Sequence, residues 1–120
     1  MNLDEVIECI KSSNKKIIIL SGTLGSGKTT LVKNFVKNDK VTSPTFGIQN
    51  VYGDIYHYDL YNISIKEFLR LGMLEEFEKE GIHFVEWGEE LEPYLEQFGF
   101  EYLKVVIDIK DNKRIYNCIH

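Results

Sequence analysis

The sequence contains little arginine and has no excess of positive charge. Arg70 and Arg114 are its two arginines, and the formal net charge is −5. Proteins that bind DNA or tRNA unaided usually carry a basic stripe, so this charge balance disfavours strong direct binding and fits a protein partner better. Kinases of small nucleosides usually clamp phosphates with several arginines in a lid, and two arginines argue against that class too.

Cysteine is also scarce, and long apolar runs are missing. Cys9 and Cys118 are far apart and lack metal-ligand spacing, which favours two free thiols. The longest apolar run covers residues 17–20, whereas a membrane-spanning helix needs about 20 apolar residues. The N-terminal residues carry acids early and lack the features of a signal peptide, so we expect a cytoplasmic protein with no membrane association. The length favours a single domain, residues 1–120.

A glycine-rich segment, GTLGSGKTT at residues 22–30, matches the pattern G-x-x-x-x-G-K-[ST] at every fixed position. It follows the β-branched run KKIIIL, which is typical of a buried strand, and precedes apolar residues at helical spacing. Glycines let successive N–H groups point inward, and the helix N-terminus adds partial positive charge. The pattern predicts a phosphate-binding loop in which Lys28 reaches the β- and γ-phosphates and Thr29 ligates Mg²⁺. A dinucleotide fingerprint fails because no third glycine or alanine follows where it is needed.

The remaining pattern mixes helices with strands. We expect a helix over residues 3–11, two strands turning near YGD, a helix over SIKEFLRLG and a short helix over MLEEFEKEG. Ser64 would cap the SIKEFLRLG helix, and Glu67 would complete a capping box. A strand over IHFVEW, a helical turn or short helix over EPYLEQF and a hairpin turning on KDNK would follow. This order predicts a P-loop NTPase-like α/β domain with three layers, a mixed and mainly parallel sheet, and a C-terminal hairpin.

Two carboxylates end predicted strands. Glu86 closes IHFVE and Asp59 closes DIYHYD. A phosphate-binding loop needs such an acid to hold Mg²⁺, directly or through water. One of the two could bind the metal while the other positions or deprotonates the attacking water, and either could instead be a solvated strand-end acid.

Several other side chains have both a functional and a structural interpretation. Thr45, in TSPTF, is a candidate for a hydroxyl that senses the γ-phosphate, although Ser-Pro could simply make a turn. Trp87 could cover the nucleotide or cap the core. His57 and His83 lie beside strands, where histidine is more often structural. The tyrosines of residues 52–61 have strand spacing and are better explained by packing.

Together these segments resemble the TsaE family (older name YjeE), small P-loop ATPases of bacterial tRNA threonylcarbamoyladenosine (t6A) synthesis. The matching pieces stand in the family's order: LSGTLGSGKTTLVKNF, TSPTFGIQNVY, HYDLYN, LGMLEEF and FVEWGEEL. They cover most of residues 17–91. Many families share the Walker loop, but the combination of SPTF, H-x-D-x-Y and E-W is specific.

The resemblance implies an ATPase that uses ATP and Mg²⁺. Lys28, Asp59 and Glu86 would be the catalytic residues, and Thr29 and Glu86 would hold Mg²⁺. The nucleotide-binding residues would be Gly22, Leu24, Gly25, Ser26, Gly27, Lys28, Thr29, Thr30, Thr45, Trp87 and Arg114.

The resemblance also implies partners. Family members work with TsaB and TsaD, the pair that transfers threonylcarbamoyl to the adenosine next to the anticodon, so tRNA would be reached only through the complex. The family's H-x-D-x-Y-R arginine is Asn62 here, which predicts slow hydrolysis by the isolated chain. A small nucleoside or nucleotide kinase and a nucleotide-binding assembly factor with negligible hydrolysis remain as alternatives. A GTP-binding switch is disfavoured because NKRI lacks the aspartate of N-K-x-D.

Overall fold

A mixed sheet forms the frame of the molecule. The structure is a computed structural model that describes residues 1–23, 25–37, 41 and 48–119. The strands are β1 (Ile17–Ser21), β2 (Gln49–Tyr52), β3 (Ile55–Asp59), β4 (Ile82–Glu86), β5 (Tyr102–Lys110) and β6 (Lys113–Ile119). Within the described residues they build one six-stranded sheet in the order β2-β3-β4-β1-β5-β6.

The centre of the sheet is parallel, and both edges are antiparallel hairpins. β1 pairs in parallel with β4 and β5, and β3 pairs in parallel with β4. β2–β3 and β5–β6 are the antiparallel pairs. Asp111 and Asn112 form the second turn with φ of 53° and 60°, as two-residue hairpin turns require. The predicted mixed, mainly parallel sheet with a C-terminal hairpin is therefore confirmed.

Helices cover both faces of the sheet. They are α1 (Leu3–Ser13), α2 (Lys28–Val36), α3 (Ile65–Arg70) and α4 (Glu92–Gln97), with 3₁₀ helices at Met73–Glu78 and Glu89–Leu91. Side chains alternate between the faces of a strand. Accordingly, Ile18 and Leu20 of β1 pack into a core with α1 and α2, whereas Ile17 and Ile19 pack into a second core with α3 and α4. The domain thus has the three predicted layers.

Two local predictions need correction. Ser64 caps α3 as predicted, since its Oγ accepts a hydrogen bond from the Glu67 N–H at 3.1 Å. The capping box was wrong, because the Glu67 carboxylate accepts hydrogen bonds from Arg70 instead. A complete capping box lies at α1, between Asn2 and Glu5. The short helix predicted over MLEEFEKEG is a 3₁₀ helix.

The parallel strands end at one edge, where the glycine-rich loop begins. Glu86 is aligned with Asp59 of β3 on one side and with Leu20 of β1 on the other. In open α/β sheets ligands bind outside the carboxyl ends of the strands. The candidate site is built at this edge. In the described part of the chain, no helix is long and apolar enough to cross a membrane.

Candidate nucleotide-binding site

The glycine-rich loop leads from the end of β1 into α2. Gly25 and Gly27 have φ of 79° and 109°, a region that favours glycine. A side chain at Gly27 would also collide with Arg114, whose Nε would lie 2.6 Å from the added Cβ. Leu24 lies outside the described residues. The loop therefore favours glycine for its backbone conformation, and the side chain of Arg114 lies directly against it.

Ser26 contributes a buried polar atom to the loop. The residue is only 1% exposed, and its Oγ has no hydrogen-bond partner among the described residues. Its backbone N–H donates to the Thr23 carbonyl at 3.0 Å. Buried polar groups are normally paired, because an unpaired one costs free energy. An acceptor such as a phosphate oxygen would satisfy this hydroxyl, so the loop fits an anionic ligand.

Lys28 is buried beneath the loop and is 4% exposed. Its Nζ donates to the Gly22 carbonyl at 2.6 Å and lies 3.3 Å from the centre of the Trp87 ring. Burial lowers the pKa of Lys28 below its ordinary value, and the nearby carboxylates of Glu86, Glu89 and Asp59 partly oppose that shift. The Gly22 carbonyl and the face of the Trp87 ring thus hold the ammonium group of Lys28 close to the loop.

Thr29 and Glu86 are in direct contact although their positions in the chain differ by 57. The Thr29 hydroxyl donates to Glu86 Oε2 at 2.9 Å, and His57 Nε2 contacts the same oxygen. Hydroxyl and carboxylate oxygens are ligands that Mg²⁺ accepts, and Mg²⁺ usually takes few protein ligands and completes its shell with phosphates and water. This pair fits such an ion. Over the described residues, no group of three or more His, Cys, Asp or Glu side chains could hold a metal by itself.

Asp59 lies beside Glu86 at the end of β3. Its Oδ1 accepts a hydrogen bond from the Tyr61 N–H at 3.0 Å. Burial raises the pKa of Asp59, and the charge of Glu86 raises it further, whereas the Tyr61 N–H, His57 and Lys28 lower it. The Thr29 hydroxyl donates to Glu86 and not to Asp59. Of the two strand-end carboxylates, Glu86 is therefore the one whose side chain meets the loop hydroxyl.

Trp87 covers one side of Lys28. Its φ of 60° is unusual for a bulky residue, and such backbone conformations concentrate at functional sites. The ring lies 5.0 Å from that of Tyr61, measured between centroids, and also packs against the core under α3 and α4. Trp87 therefore packs against the core and also faces Lys28 of the loop, and its role in covering a nucleotide stays a prediction.

The other predicted site residues divide into two groups. Arg114 on β6 lies against Gly27, and Thr30 lies in the first turn of α2. Thr45 and the whole TSPTF segment lie outside the described residues. His83 is structural: its Nδ1 bonds to the Tyr58 hydroxyl at 2.6 Å and its Nε2 bonds to the Lys79 carbonyl at 2.9 Å, and burial lowers its pKa.

His57 also lies beside the two carboxylates, although a histidine next to a strand is more often structural. It is 0% exposed and contacts Glu86. Its spacing in the sequence could have indicated this position. Residues two apart on a strand share a face, and His57 precedes Asp59 by two.

The sheet order, the loop between β1 and α2 and the strand-end carboxylates define a P-loop NTPase-like α/β domain. Residues 2–116 match the model of the family "Threonylcarbamoyl adenosine biosynthesis protein TsaE". The chain belongs to the TsaE family.

Relatives with this description are found in several bacteria. The TsaE protein of Bacillus subtilis is 38% identical over 99 residues, which cover 76% of this chain and 60% of the relative. That of Aquifex aeolicus is 39% identical over 100 residues, covering 75% and 69%. That of Rickettsia prowazekii is 34% identical over 114 residues, covering 87% and 76%. The chain therefore spans only about 60% of the length of the Bacillus relative.

A solved structure supports the fold. The crystal structure of Bacillus subtilis YdiB matches with a TM-score of 0.61 and 27% sequence identity. The match covers 97% of this chain and 78% of that chain.

Proposed function

We propose that this chain binds ATP with Mg²⁺, hydrolyses it slowly alone, and supports the TsaB–TsaD pair in the threonylcarbamoyl modification of tRNA. The observation that supports this most is the contact of Thr29 with Glu86 directly beside the loop. A loop hydroxyl and a strand-end carboxylate are the two protein groups that P-loop enzymes bring to the metal. Membership of a family named for threonylcarbamoyl adenosine biosynthesis supports the biological setting.

Different groups of the chain would bind the phosphates, hold the metal and orient the attacking water. The amides of residues 22–30 and the Lys28 ammonium would bind phosphate oxygens, and Lys28 would exchange the Gly22 carbonyl for a phosphate. Thr29 and Glu86 would hold Mg²⁺, which supplies charge neutralisation at the phosphate oxygens. Arg114, beside Gly27, adds positive charge at the start of α2. Asp59 would orient the attacking water, because Glu86 is the carboxylate that contacts Thr29 and would bind the metal.

The dependence on a partner follows from the scarcity of arginine. Asn62, at the position of the family's arginine, is exposed and uncharged. Arginines that stabilise phosphoryl-transfer transition states are often supplied by a second protein. Hydrolysis by the isolated chain should then be slow, and binding of the TsaB–TsaD pair should accelerate it. The net charge of −5 supports a route to tRNA through that pair.

The test measures ATP hydrolysis with and without the TsaB–TsaD pair for wild type, Lys28→Ala and Glu86→Ala, with Glu101→Ala as control. Glu101 is exposed and directly precedes β5, at the opposite edge of the sheet from the loop. We expect stimulation by the pair in wild type and Glu101→Ala, and its loss in the other two variants.

Four other results would each contradict a different part of the proposal. Failure of the pair to bind in any nucleotide state would refute the proposed function. Full activity of Glu86→Ala would refute the metal assignment. ATP binding with no turnover, even in the presence of the pair, would identify a nucleotide-binding assembly factor. Tight tRNA binding by the lone chain would contradict the charge argument.

A further inference from the structure

His57 is completely buried directly behind the candidate metal ligand. It is 0% exposed, lies on β3 and is aligned with Phe84 of the neighbouring strand. Its Nε2 contacts Glu86 Oε2, the same oxygen that accepts the Thr29 hydroxyl. Its Nδ1 has no hydrogen-bond partner among the described residues. Within that part of the chain, the polar bonding of this ring is therefore directed at one carboxylate oxygen.

We propose that His57 is a positioning residue that donates its Nε2–H to Glu86 and fixes the carboxylate where Thr29 and Mg²⁺ need it; this rests on the proposed function. The tautomer follows from the contacts. An ionised carboxylate only accepts hydrogen bonds, so the ring nitrogen facing it must carry the proton. With the proton on Nε2, Nδ1 carries no hydrogen. The single N–H of this buried ring then has the Glu86 carboxylate as its acceptor.

The need for such a restraint follows from what else surrounds Glu86. The carboxylate lies close enough to Lys28 to act on it electrostatically. A carboxylate free to rotate would be drawn toward that buried ammonium, because opposite charges attract strongly where water is excluded. An ion pair of Glu86 with Lys28 would remove the metal ligand and the phosphate-binding cation together. The bond from His57 keeps Glu86 on the Thr29 side.

The size of the effect has a precedent in metal sites generally. Groups that hydrogen-bond to a metal ligand orient it, and their removal typically costs about 10- to 100-fold in metal affinity or activity. A merely structural histidine would lower stability without singling out the metal. Dependence on Mg²⁺ is therefore the property that distinguishes the two roles.

Two substitutions of similar polarity separate these roles. In His57→Gln the side-chain amide nitrogen can reach about as far as Nε2, whereas in His57→Asn it reaches only about as far as Nδ1. The experiment titrates Mg²⁺ at fixed mant-ATP and records nucleotide binding by wild type and both variants. The same binding is measured in excess EDTA, and thermal melting checks that each variant is folded.

We expect the Mg²⁺ concentration at half-saturation to rise about 10-fold or more in His57→Asn and by less than about 3-fold in His57→Gln. Binding in EDTA should change by less than about 2-fold in both. Equal Mg²⁺ dependence in all three proteins would overturn the proposal. So would an equal loss with and without Mg²⁺. If wild type itself does not bind the nucleotide, the proposed function fails first and takes this inference with it.

A measurement on wild type covers the case in which His57→Asn does not fold. Nitrogen-15 NMR of the imidazole reports which ring nitrogen carries the proton. We expect an Nε2–H proton resonance in the nucleotide-free protein that shifts when Mg²⁺ and ADP are added. A ring protonated only on Nδ1 would overturn the proposal.

Discussion

The ammonium group of Lys28 lies 3.3 Å from the centre of the Trp87 ring and donates to the Gly22 carbonyl at 2.6 Å. A cation over an aromatic face is stabilised by about 0.5–2 kcal/mol, with the larger value where water is excluded. In this arrangement the residue that would bind phosphate is instead held by the protein itself. A nucleotide must therefore draw Lys28 away from two existing contacts.

The first prediction uses Trp87 as a reporter, since it is the chain's single tryptophan. Adding ATP with Mg²⁺ should change its fluorescence, because Lys28 would leave the ring for the phosphates. Lys28→Ala should lose this response, and Lys66→Ala, which alters an exposed lysine of α3, should keep it. An unchanged response in Lys28→Ala would mean that Trp87 senses the nucleotide by another contact.

The second prediction concerns stability. Burial lowers the pKa of Lys28, so the native state binds its proton less readily than the unfolded state. Stability should consequently rise with pH in the window between the lowered pKa and the ordinary value of 10.5. Burying a charge costs free energy, and the lowered pKa shows that burial is the largest influence on Lys28, so Lys28→Met should gain on the order of 1 kcal/mol at pH 7 while losing nucleotide binding.

Urea denaturation of wild type and Lys28→Met at about pH 7 and about pH 10 checks this. The advantage of Lys28→Met should shrink at the higher pH, where the wild-type lysine loses its charge. A wild type that is more stable than Lys28→Met at the lower pH would show that the contacts with Gly22 and Trp87 outweigh the burial of the charge.

The fold and the convergence of the glycine-rich loop with the two strand-end carboxylates could both be predicted from the sequence, and for one reason. Apolar runs identify parallel strands, and the carboxyl ends of such strands lie at one edge. A loop after one strand and acids at the ends of others must therefore converge. The position along the chain was enough for this convergence, whereas the choice of Glu86 over Asp59 as the partner of Thr29 came from the resemblance to the TsaE family.

The contacts of individual side chains could not be predicted in this way. The bond between His57 and Glu86 depends on the register of β3 against β4, which no turn in the sequence sets. Glu67 could have closed a capping box, but Arg70 lies three residues later on the same helix face and bonds it instead. The spacing along the helix allows the Glu67 carboxylate either partner, so the sequence alone does not predict which one it binds.

The third prediction compares the two arginines. Arg114 lies against Gly27 of the loop, whereas Arg70 is exposed on α3 and pairs with Glu67. Hydrogen bonds to charged groups contribute about 1.5–3 kcal/mol, so Arg114→Ala should weaken ATP binding about 10- to 100-fold if the guanidinium reaches a phosphate. Arg70→Ala should change it less than about 2-fold. Calorimetric titration with ATP and Mg²⁺ measures both, and equal affinities would remove Arg114 from the site.

The fourth prediction concerns Asp59 and pH. Burial raises the pKa of its carboxyl group above the ordinary value of 3.8, so the native state holds the proton more readily than the unfolded state. The free energy of unfolding therefore increases as pH falls from the raised pKa to 3.8, because the native carboxyl group takes up its proton first. Above this window the carboxyl group is charged in both states, and the native protein bears the full cost of the buried charge. Asp59→Asn should accordingly be more stable than wild type at about pH 7, and the difference should vanish below about pH 4.

Chemical denaturation from about pH 3.5 to about pH 8 tests this in the nucleotide-free protein, with Asp108→Asn as the control that removes an exposed carboxylate from β5. The amide oxygen introduced by Asp59→Asn can still accept the hydrogen bond from the Tyr61 N–H, so the comparison isolates the charge. The same variant should lower kcat for ATP with little change in the Mg²⁺ requirement, because the proposed task of Asp59 is to orient water. A variant that needs more Mg²⁺ but keeps its kcat would instead make Asp59 a metal ligand and return the hydrolytic role to Glu86.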